Sequence, residues 1–566
     1  MKQYPLYPAE SYATVREMME SVAKKYEDRI AYSYRKCPSD AEAVRISFPE
    51  LREDVAALCT SIHRNGLTHA HIALIGKLSY PWACSYFSIL ASGAVIVPLD
   101  PDWTAEDLAA TVKRADCTAV FCSAEIEKAK LSVILAETGI ATVVRLDADA
   151  EEDDSLVAWI GEGAKLRYAG DRSYETARLQ PDAMAMLAFT SGTTGQGKGV
   201  MLSQKAILSD IAAGTQVIHV TPKTVGVLPA HHTFGSNLSL VGHVCLGSEI
   251  YISSGIRYLL KEFKAEKPGH MVLVPLYLES FRRRIEDAIR EKKMEKEFAN
   301  LVKVSNALRK TGVDLRRKLF KGILDTFGGE LSLVICGGAP LSQNLIEFFD
   351  NIGITILNGY GITECAPVIA VNRNRYQKPG CVGMVLPVNT VKIREPNEEG
   401  EGEICVKGNN VMLGYYKDAD ATEAAFDEDG YFRTGDIGCL DGEGWLSVTG
   451  RIKNLIILAN GKNVYPEEIE SALSSIPGVA DVVVYEGVSR RGIAYNTTVA
   501  EIFPSEDYLK AKGIEDAYAY FHPFIQEYNR TAVPYKKIGL LKIRTEDFPK
   551  NTLRKIMRFR MDTSID

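Results

Sequence analysis

AFTSGTTGQGKGVML, residues Ala188–Leu202, packs hydroxyls and glycines into one short run and ends its polar part on a lysine. Gly192, Gly197 and Lys198 fit G-x-x-x-x-G-K, the spacing of a phosphate loop that opens a helix and follows its lysine with Ser or Thr. Here Gly199 follows the lysine, and Val200-Met201-Leu202 has the texture of a strand, as does AMAMLAF before the loop. The stretch therefore predicts the tip of a hairpin. Its phosphate chemistry survives that change of setting: small residues let backbone N–H groups approach, hydroxyls donate, and a cation neutralises charge. The expectation is a phosphate grip on a different fold from the nucleotide-binding loop of NTPases.

The chain around it has 566 residues, 46% hydrophobic and 25% charged, enough for several packed units. A net charge of −7 gives no reason to expect nucleic acid as a partner. Eleven cysteines lie scattered without C-x-x-C, which disfavours zinc and a disulfide framework and predicts reduced thiols in a cytoplasmic protein. No apolar signal core begins the sequence, and no run reaches the ~18 apolar residues of a membrane span.

Working outward, residues 1–180 alternate helical and strand patterns. LREDVAALCTSIHRN is amphipathic, HIALIG is a short buried strand, PWACSYFSILASG a helix and AVIVPLD a strand. LAATVKRADC and TAVFCSA repeat that rhythm, which predicts a parallel sheet covered by helices. Beyond the loop, VGVLPAHHTFG, LSLVICGGAPLS and ITILNGYGITE are strand-then-loop units. Residues 382–448 change to short strands parted by glycines, a β-rich subdomain, and the chain after Gly450 reads as compact α+β. The expected fold is α/β: a large N-terminal domain of sheets covered by helices over 1–450, and a small mobile α+β C-terminal domain over 451–566.

Residues 282–325 stand apart, with 14 Lys/Arg against 7 Asp/Glu in an acidic protein. Ile285, Ala288, Ile289, Phe298, Leu301 and Val302 fall at helical spacing. Two readings stay open: a solvated helical face, or peripheral contact with an anionic membrane surface or a polyphosphate.

Several short motifs carry chemistry together. In Asn358-Gly359-Tyr360-Gly361-Ile362-Thr363-Glu364, two glycines bracket a ring able to stack on a base, Thr363 can donate to phosphate, and Glu364 is a hard oxygen ligand suited to Mg2+. The plain alternative is a tight turn with a surface tyrosine. Asp436, closing YFRTGD, can accept from ribose hydroxyls or be a turn aspartate. Gly450-Arg451-Ile452-Lys453 puts two cations at the domain boundary, Gly461-Lys462 sits at a turn beyond, and PKNTLRK, 549–555, is a basic loop near the end.

In this order and at these separations the motifs resemble the adenylate-forming superfamily of acyl-CoA synthetases, carrier-loading adenylation domains and firefly luciferase. The resemblance runs from FPELREDVAALCTSI to LRKIMRF, and LRRKLFKGILDTFGGELSLVICGGAPLS resembles the long-chain fatty acyl-CoA synthetase branch. It implies an ATP-dependent acid–thiol ligase. A carboxylate attacks the α-phosphorus of ATP, pyrophosphate leaves, and a thiol displaces AMP from the acyl adenylate. Coenzyme A is the expected thiol and a medium- to long-chain fatty acid the expected acid. An acyl carrier protein as acceptor, another carboxylic acid, or a non-catalytic nucleotide sensor are the alternatives.

The resemblance also assigns residues. Thr190, Ser191, Gly192, Thr193, Thr194, Gly195 and Lys198 match the phosphate loop. Gly338, Ala339 and Pro340, with Asn358, Gly359, Tyr360 and Gly361, match the wall around adenine. Thr363 matches a phosphate contact, Glu364 the magnesium ligand, Asp436 the ribose acceptor and Arg451 its neighbour. Lys453 falls on the hinge, Lys555 on the catalytic lysine of adenylation, and Gly461 with Lys462 on the coenzyme A tunnel. His232 and Phe234 fall at the acyl entrance, and His231 reads as a packed loop histidine. Five positions depart from the pattern. Phe189 stands for Tyr, Gly197 for Pro, Ser203-Gln204 for Thr-His, and Arg554 for the glycine before the last lysine, which makes Lys550 the fallback for Lys555.

Overall fold

The computed structural model describes residues 4–149, 151–190, 197–458, 463–488, 494–550 and 556–565. Strands Met184–Phe189 and Gly199–Ser203 pair antiparallel with Phe189 opposite Gly199, so the opening stretch is a hairpin. They belong to a seven-stranded sheet with Val95–Leu99, His71–Ile75, Cys117–Cys122 and Thr142–Arg145. Those strands run parallel, as the alternation with helices requires. The two-residue strand Gly414–Tyr415 closes the far edge beside Gly199–Ser203.

Helices cover this sheet because their apolar faces have nowhere else to go. Phe48–Arg64 starts on a capping box, in which Ser47 and Glu50 satisfy each other's backbone N–H groups. It buries Phe48, Leu51, Val55 and Leu58 in the same core as the helix Tyr80–Ser92. Helix Leu156–Tyr168 lies close on it, and Ser61 donates across to the Trp159 carbonyl at 2.6 Å.

The second sheet has thirteen strands. Ile30–Tyr34 and Val44–Ser47 lie at its edge, so the first 180 residues divide between two sheets. Ile30–Tyr34, Glu249–Ile252, Lys223–Gly226, His270–Leu273, Leu333–Cys336 and Thr355–Gly361 are successively parallel. From Thr355–Gly361 onward the pairing turns antiparallel through Val368–Val371, Gly383–Val385, Trp445–Arg451, Phe432–Leu440, Gly402–Gly408 and Asn389–Arg394. Apart from Gly414–Tyr415, the strands of the glycine-punctuated 382–448 region thus continue this sheet, joined by backbone pairing.

In 282–325, helices Pro275–Glu291 and Glu295–Lys310 turn Ile285, Ile289, Phe298, Leu301 and Val302 onto a core built around Phe281, Phe327 and Phe349. Arg309 and Arg316 pair with Asp350, and Arg317 donates to three backbone carbonyls, so part of the positive charge is structural. Arg284, Lys292, Lys293, Lys296 and Lys303 form no ion pair among the described residues. No helix of the described residues is long and apolar enough to cross a membrane.

Strand Trp445–Arg451 ends at Arg451, and a short turn over Ile452–Asn454 leads away from the sheet. Beyond it, Val479–Val488, Ala494–Pro504 and Leu540–Ile543 form a three-stranded sheet. Helices Pro466–Leu473 and Ala517–Thr531 pack on it around Ile469, Val484, Ile502 and Phe521. This is the small α+β unit, with its own core.

Candidate active site

Thr355–Gly361 is parallel to one neighbour and antiparallel to the other, so it is the strand at which the pairing of the large sheet switches direction. The carboxyl ends of parallel strands are where open α/β sheets take ligands. Gly337–Pro340 leaves the carboxyl end of the adjacent strand Leu333–Cys336. Gly338 there has φ +83°, a left-handed conformation natural to glycine. Asn358, Gly359, Tyr360 and Gly361 are the last residues of the switch strand itself, so the turn allowed for G-Y-G is not what forms. A Cβ on Gly361 would lie 1.9 Å from the Pro367 carbonyl oxygen, which leaves glycine as the residue that fits.

The Tyr360 hydroxyl donates to Asp436 at 2.7 Å, and Arg451 Nε meets the other carboxylate oxygen at 2.6 Å. Asp436 is 2% exposed. Burial, then the Asp436 charge, pushes the Tyr360 phenol well up, so it stays a donor. Sequence reasoning put Asp436 at the end of a strand, but it lies inside Phe432–Leu440, opposite Arg451. Gly435, at φ +69°, absorbs a kink that reads as a turn in T-G-D while the pairing continues. A carboxylate offers about four lone-pair sites, so two partners leave Asp436 room to accept from a diol.

Three residues past Tyr360 the chain enters the turn Thr363–Cys365. Buried Asp210 holds it from behind: Asn410 Nδ2 donates to Asp210 at 3.0 Å and also to the Cys365 carbonyl, and Val368 N–H donates to Asp210 at 3.3 Å. Burial pushes the Asp210 carboxyl well up. Glu364 accepts from the Tyr415 hydroxyl at 3.0 Å. Lys198 Nζ sits 4.3 Å from the centroid of that same Tyr415 ring. One tyrosine therefore joins the loop lysine to the acidic residue. Thr190 N–H donates to the Lys198 carbonyl at 3.0 Å, closing the stem of the hairpin.

Sequence reasoning missed Tyr415. Its signal was the strand-like G-Y-Y after residue 413, which gains meaning only once Gly414–Tyr415 pairs with Met201 and Val200. Glu364 fits a magnesium ion, which takes one or two carboxylates and completes its shell with water and phosphate. No group of three His, Cys, Asp or Glu side chains suited to a protein-only metal cage occurs among the described residues.

His231 and His232 follow the strand Lys223–Gly226, with ring centroids 4.2 Å apart. Burial lowers His231 to about 4 and His232 to about 3, so both are neutral. His231 Nε2 lies 3.5 Å from Asp100. Phe234 opens a π-helical segment, Phe234–Val241, and packs with Leu228, Val274 and Leu357. A Cβ on Gly337 would lie 3.6 Å from its ring, so this apolar region adjoins the Gly337–Pro340 loop.

Ser191, Gly192, Thr193, Thr194, Gly195, Gly461, Lys462 and Lys555 lie outside the described residues. Lys453 is in the turn Ile452–Asn454 that leaves the large sheet. Lys550 pairs with Asp481 and Asp547, at 2.7 and 2.8 Å, which commits the fallback lysine to the small domain. Ser203 caps the helix Gln204–Val217. Buried Gln204 donates to the Leu90 carbonyl and accepts from Val15 N–H, so Ser203-Gln204 serve the packing.

A family model described as AMP-binding enzyme matches residues 19–416. Over 492 residues the chain is 30% identical to long-chain-fatty-acid–CoA ligase 5 of Rattus norvegicus, covering 81% of this chain and 71% of that protein. It is 29% identical over 435 residues to long-chain-fatty-acid–CoA ligase FadD15 of Mycobacterium tuberculosis, covering 73% and 70%. In fold it is similar to ATP-bound MatB from Rhodopseudomonas palustris, with TM-score 0.74, 22% identity and 96% and 97% of the two chains covered. It is also similar to o-succinylbenzoate coenzyme A synthetase from Bacillus subtilis in complex with ATP and magnesium ion, with TM-score 0.70, 20% identity and 96% and 98% covered.

Proposed function

The chain belongs to the AMP-binding enzyme family, as an AMP-forming acid–CoA ligase using ATP and coenzyme A, and we propose that its acid is a medium- to long-chain fatty acid. The observation that carries the acid is the likeness to long-chain-fatty-acid–CoA ligases over four-fifths of the chain. The acyl side adds support: Phe234 adjoins the Gly337–Pro340 loop, and His232, two residues before it, is buried and neutral. A fatty carboxylate would lie there with its head toward the α-phosphorus.

In this reading ATP lies across the switch strand. Adenine rests between Gly338–Pro340 and Asn358–Tyr360. The ribose hydroxyls donate to Asp436, which Arg451 and Tyr360 hold in place. Lys198 and the hydroxyls of the hairpin loop take the β- and γ-phosphates, and Thr363 donates to phosphate. Glu364 would hold Mg2+, which when bound neutralises phosphate charge. Lys555 reaches the carboxylate and α-phosphate in the first step, and Gly461 with Lys462 line the approach of the thiol in the second. No protein nucleophile is needed, and positioning and charge neutralisation supply most of the rate. Rotation at Lys453 brings the two faces of the small domain to the site in turn.

A panel of carboxylic acids, read by pyrophosphate release, tests the acid. Each added methylene should improve binding by ~0.8 kcal/mol until the pocket is full. Acetate or an aromatic acid outperforming every fatty acid of six or more carbons overturns the reading.

A further inference from the structure

We propose that Arg114 is a positioning residue for the triphosphate grip, bracing the stem of the hairpin and setting a positive charge at Gly197. Arg114 is the last residue of the helix Ala105–Arg114. Its Nη2 donates to the Gly197 carbonyl at 2.6 Å, one residue before the loop lysine. Its guanidinium carbon stands 4.7 Å from the centroid of the Phe189 ring, on the opposite strand of the stem. The Phe189 ring in turn covers Gly199, where an added Cβ would come within 3.2 Å of it. One side chain thus ties together both strands of the hairpin at the level where the loop begins.

These contacts fall on Phe189 and Gly197, two of the positions where the sequence departs from the superfamily pattern. Gly197 leaves the backbone there without the fixed φ that a proline imposes. The bond from Arg114 supplies an external restraint at that carbonyl. The arginine forms no ion pair among the described residues, and partial burial lowers its pKa without discharging it. Among the described residues its charge therefore has no ion-pair partner, and it stands at the carbonyl one residue before Lys198. A guanidinium placed this way favours a polyanion held at the hairpin and does little for a ligand that ends at one phosphate.

The inference rests on the reading of the hairpin as a grip for the β- and γ-phosphates, and binding measurements separate the two. Affinities for MgATP and for AMP are measured by calorimetry on wild type, Arg114→Ala, Arg114→Met and Arg114→Lys, with thermal midpoints recorded for each. Loss of a charge-assisted bond predicts MgATP affinity weakened on the order of tenfold in the Ala and Met variants. AMP affinity should stay within about twofold, because AMP lacks the two phosphates that the loop holds. Lysine, which keeps the charge and a donor, should recover part of the loss. Unchanged MgATP affinity in Arg114→Ala, a parallel fall for MgATP and AMP, or no recovery with lysine each overturns the role of Arg114. Wild type that binds AMP but gains nothing from the two further phosphates would instead overturn the reading of the hairpin.

Discussion

Tyr415 does two things with one side chain, and substitutions can part them. Its hydroxyl donates to Glu364, and its ring face carries the Lys198 ammonium. Tyr415→Phe keeps the ring and loses the bond to a charged acceptor, worth about 1.5–3 kcal/mol. Tyr415→Leu also loses the cation–π contact, worth about 0.5–2 kcal/mol. Steady-state kinetics should therefore rank kcat/KM for ATP as wild type, then Phe, then Leu, with Lys198→Ala down roughly 10- to 100-fold. If Phe and Leu are equal to wild type, Tyr415 is not part of the site. At this scale the sequence was legible wherever chemistry is local. Lys198, Glu364 and Tyr360 were all picked out from their immediate neighbours. Tyr415 and Arg114 were not, because each acts through partners far along the chain, brought near by strand pairing and helix packing.

Elements obey the same division. The hairpin was readable from a lysine followed by glycine and a strand pattern, and the parallel sheet from its alternation of strands with helices. The joining of 382–448 to the large sheet was not, because no periodicity within a strand states which strand it pairs with. The close approach of the helices Phe48–Arg64 and Leu156–Tyr168 was equally hidden. Gly163 permits it, since a Cβ there would lie 1.9 Å from the Ala57 carbonyl oxygen. Gly163→Ala forces backbone against backbone and should cost about 1–3 kcal/mol by overpacking. Thermal unfolding should show a lower midpoint while KM values for ATP, acid and coenzyme A stay unchanged. A midpoint equal to wild type would mean that the helices separate at no cost.

Over the whole molecule, burial keeps four histidines neutral. His231 and His243 are lowered from 6.5 to about 4 and His232 to about 3, and His270 lies well below its ordinary range. His270 and His243 face each other at 2.8 Å, with Thr221 and the Ser239 carbonyl satisfying the outer nitrogens. A folded pKa below the unfolded one means that the unfolded chain binds more protons between the two values. The stability these residues give is complete above about pH 6.5 and is lost as pH falls toward about 4. The thermal midpoint should be level near pH 7–8 and drop steeply below about 6. A midpoint flat from pH 7 to 4.5 would contradict the buried neutral pairs.

The same large sheet carries the proposed nucleotide wall and leads through Arg451 into the turn that begins the small domain. We propose that this assembly activates a fatty acid as an adenylate before any thiol arrives. Exchange of labelled pyrophosphate into ATP, measured without coenzyme A, reads that step alone. Exchange should depend on the fatty acid, with AMP as the nucleotide released once coenzyme A is added. Exchange that requires coenzyme A, or ADP and phosphate as products, would contradict it.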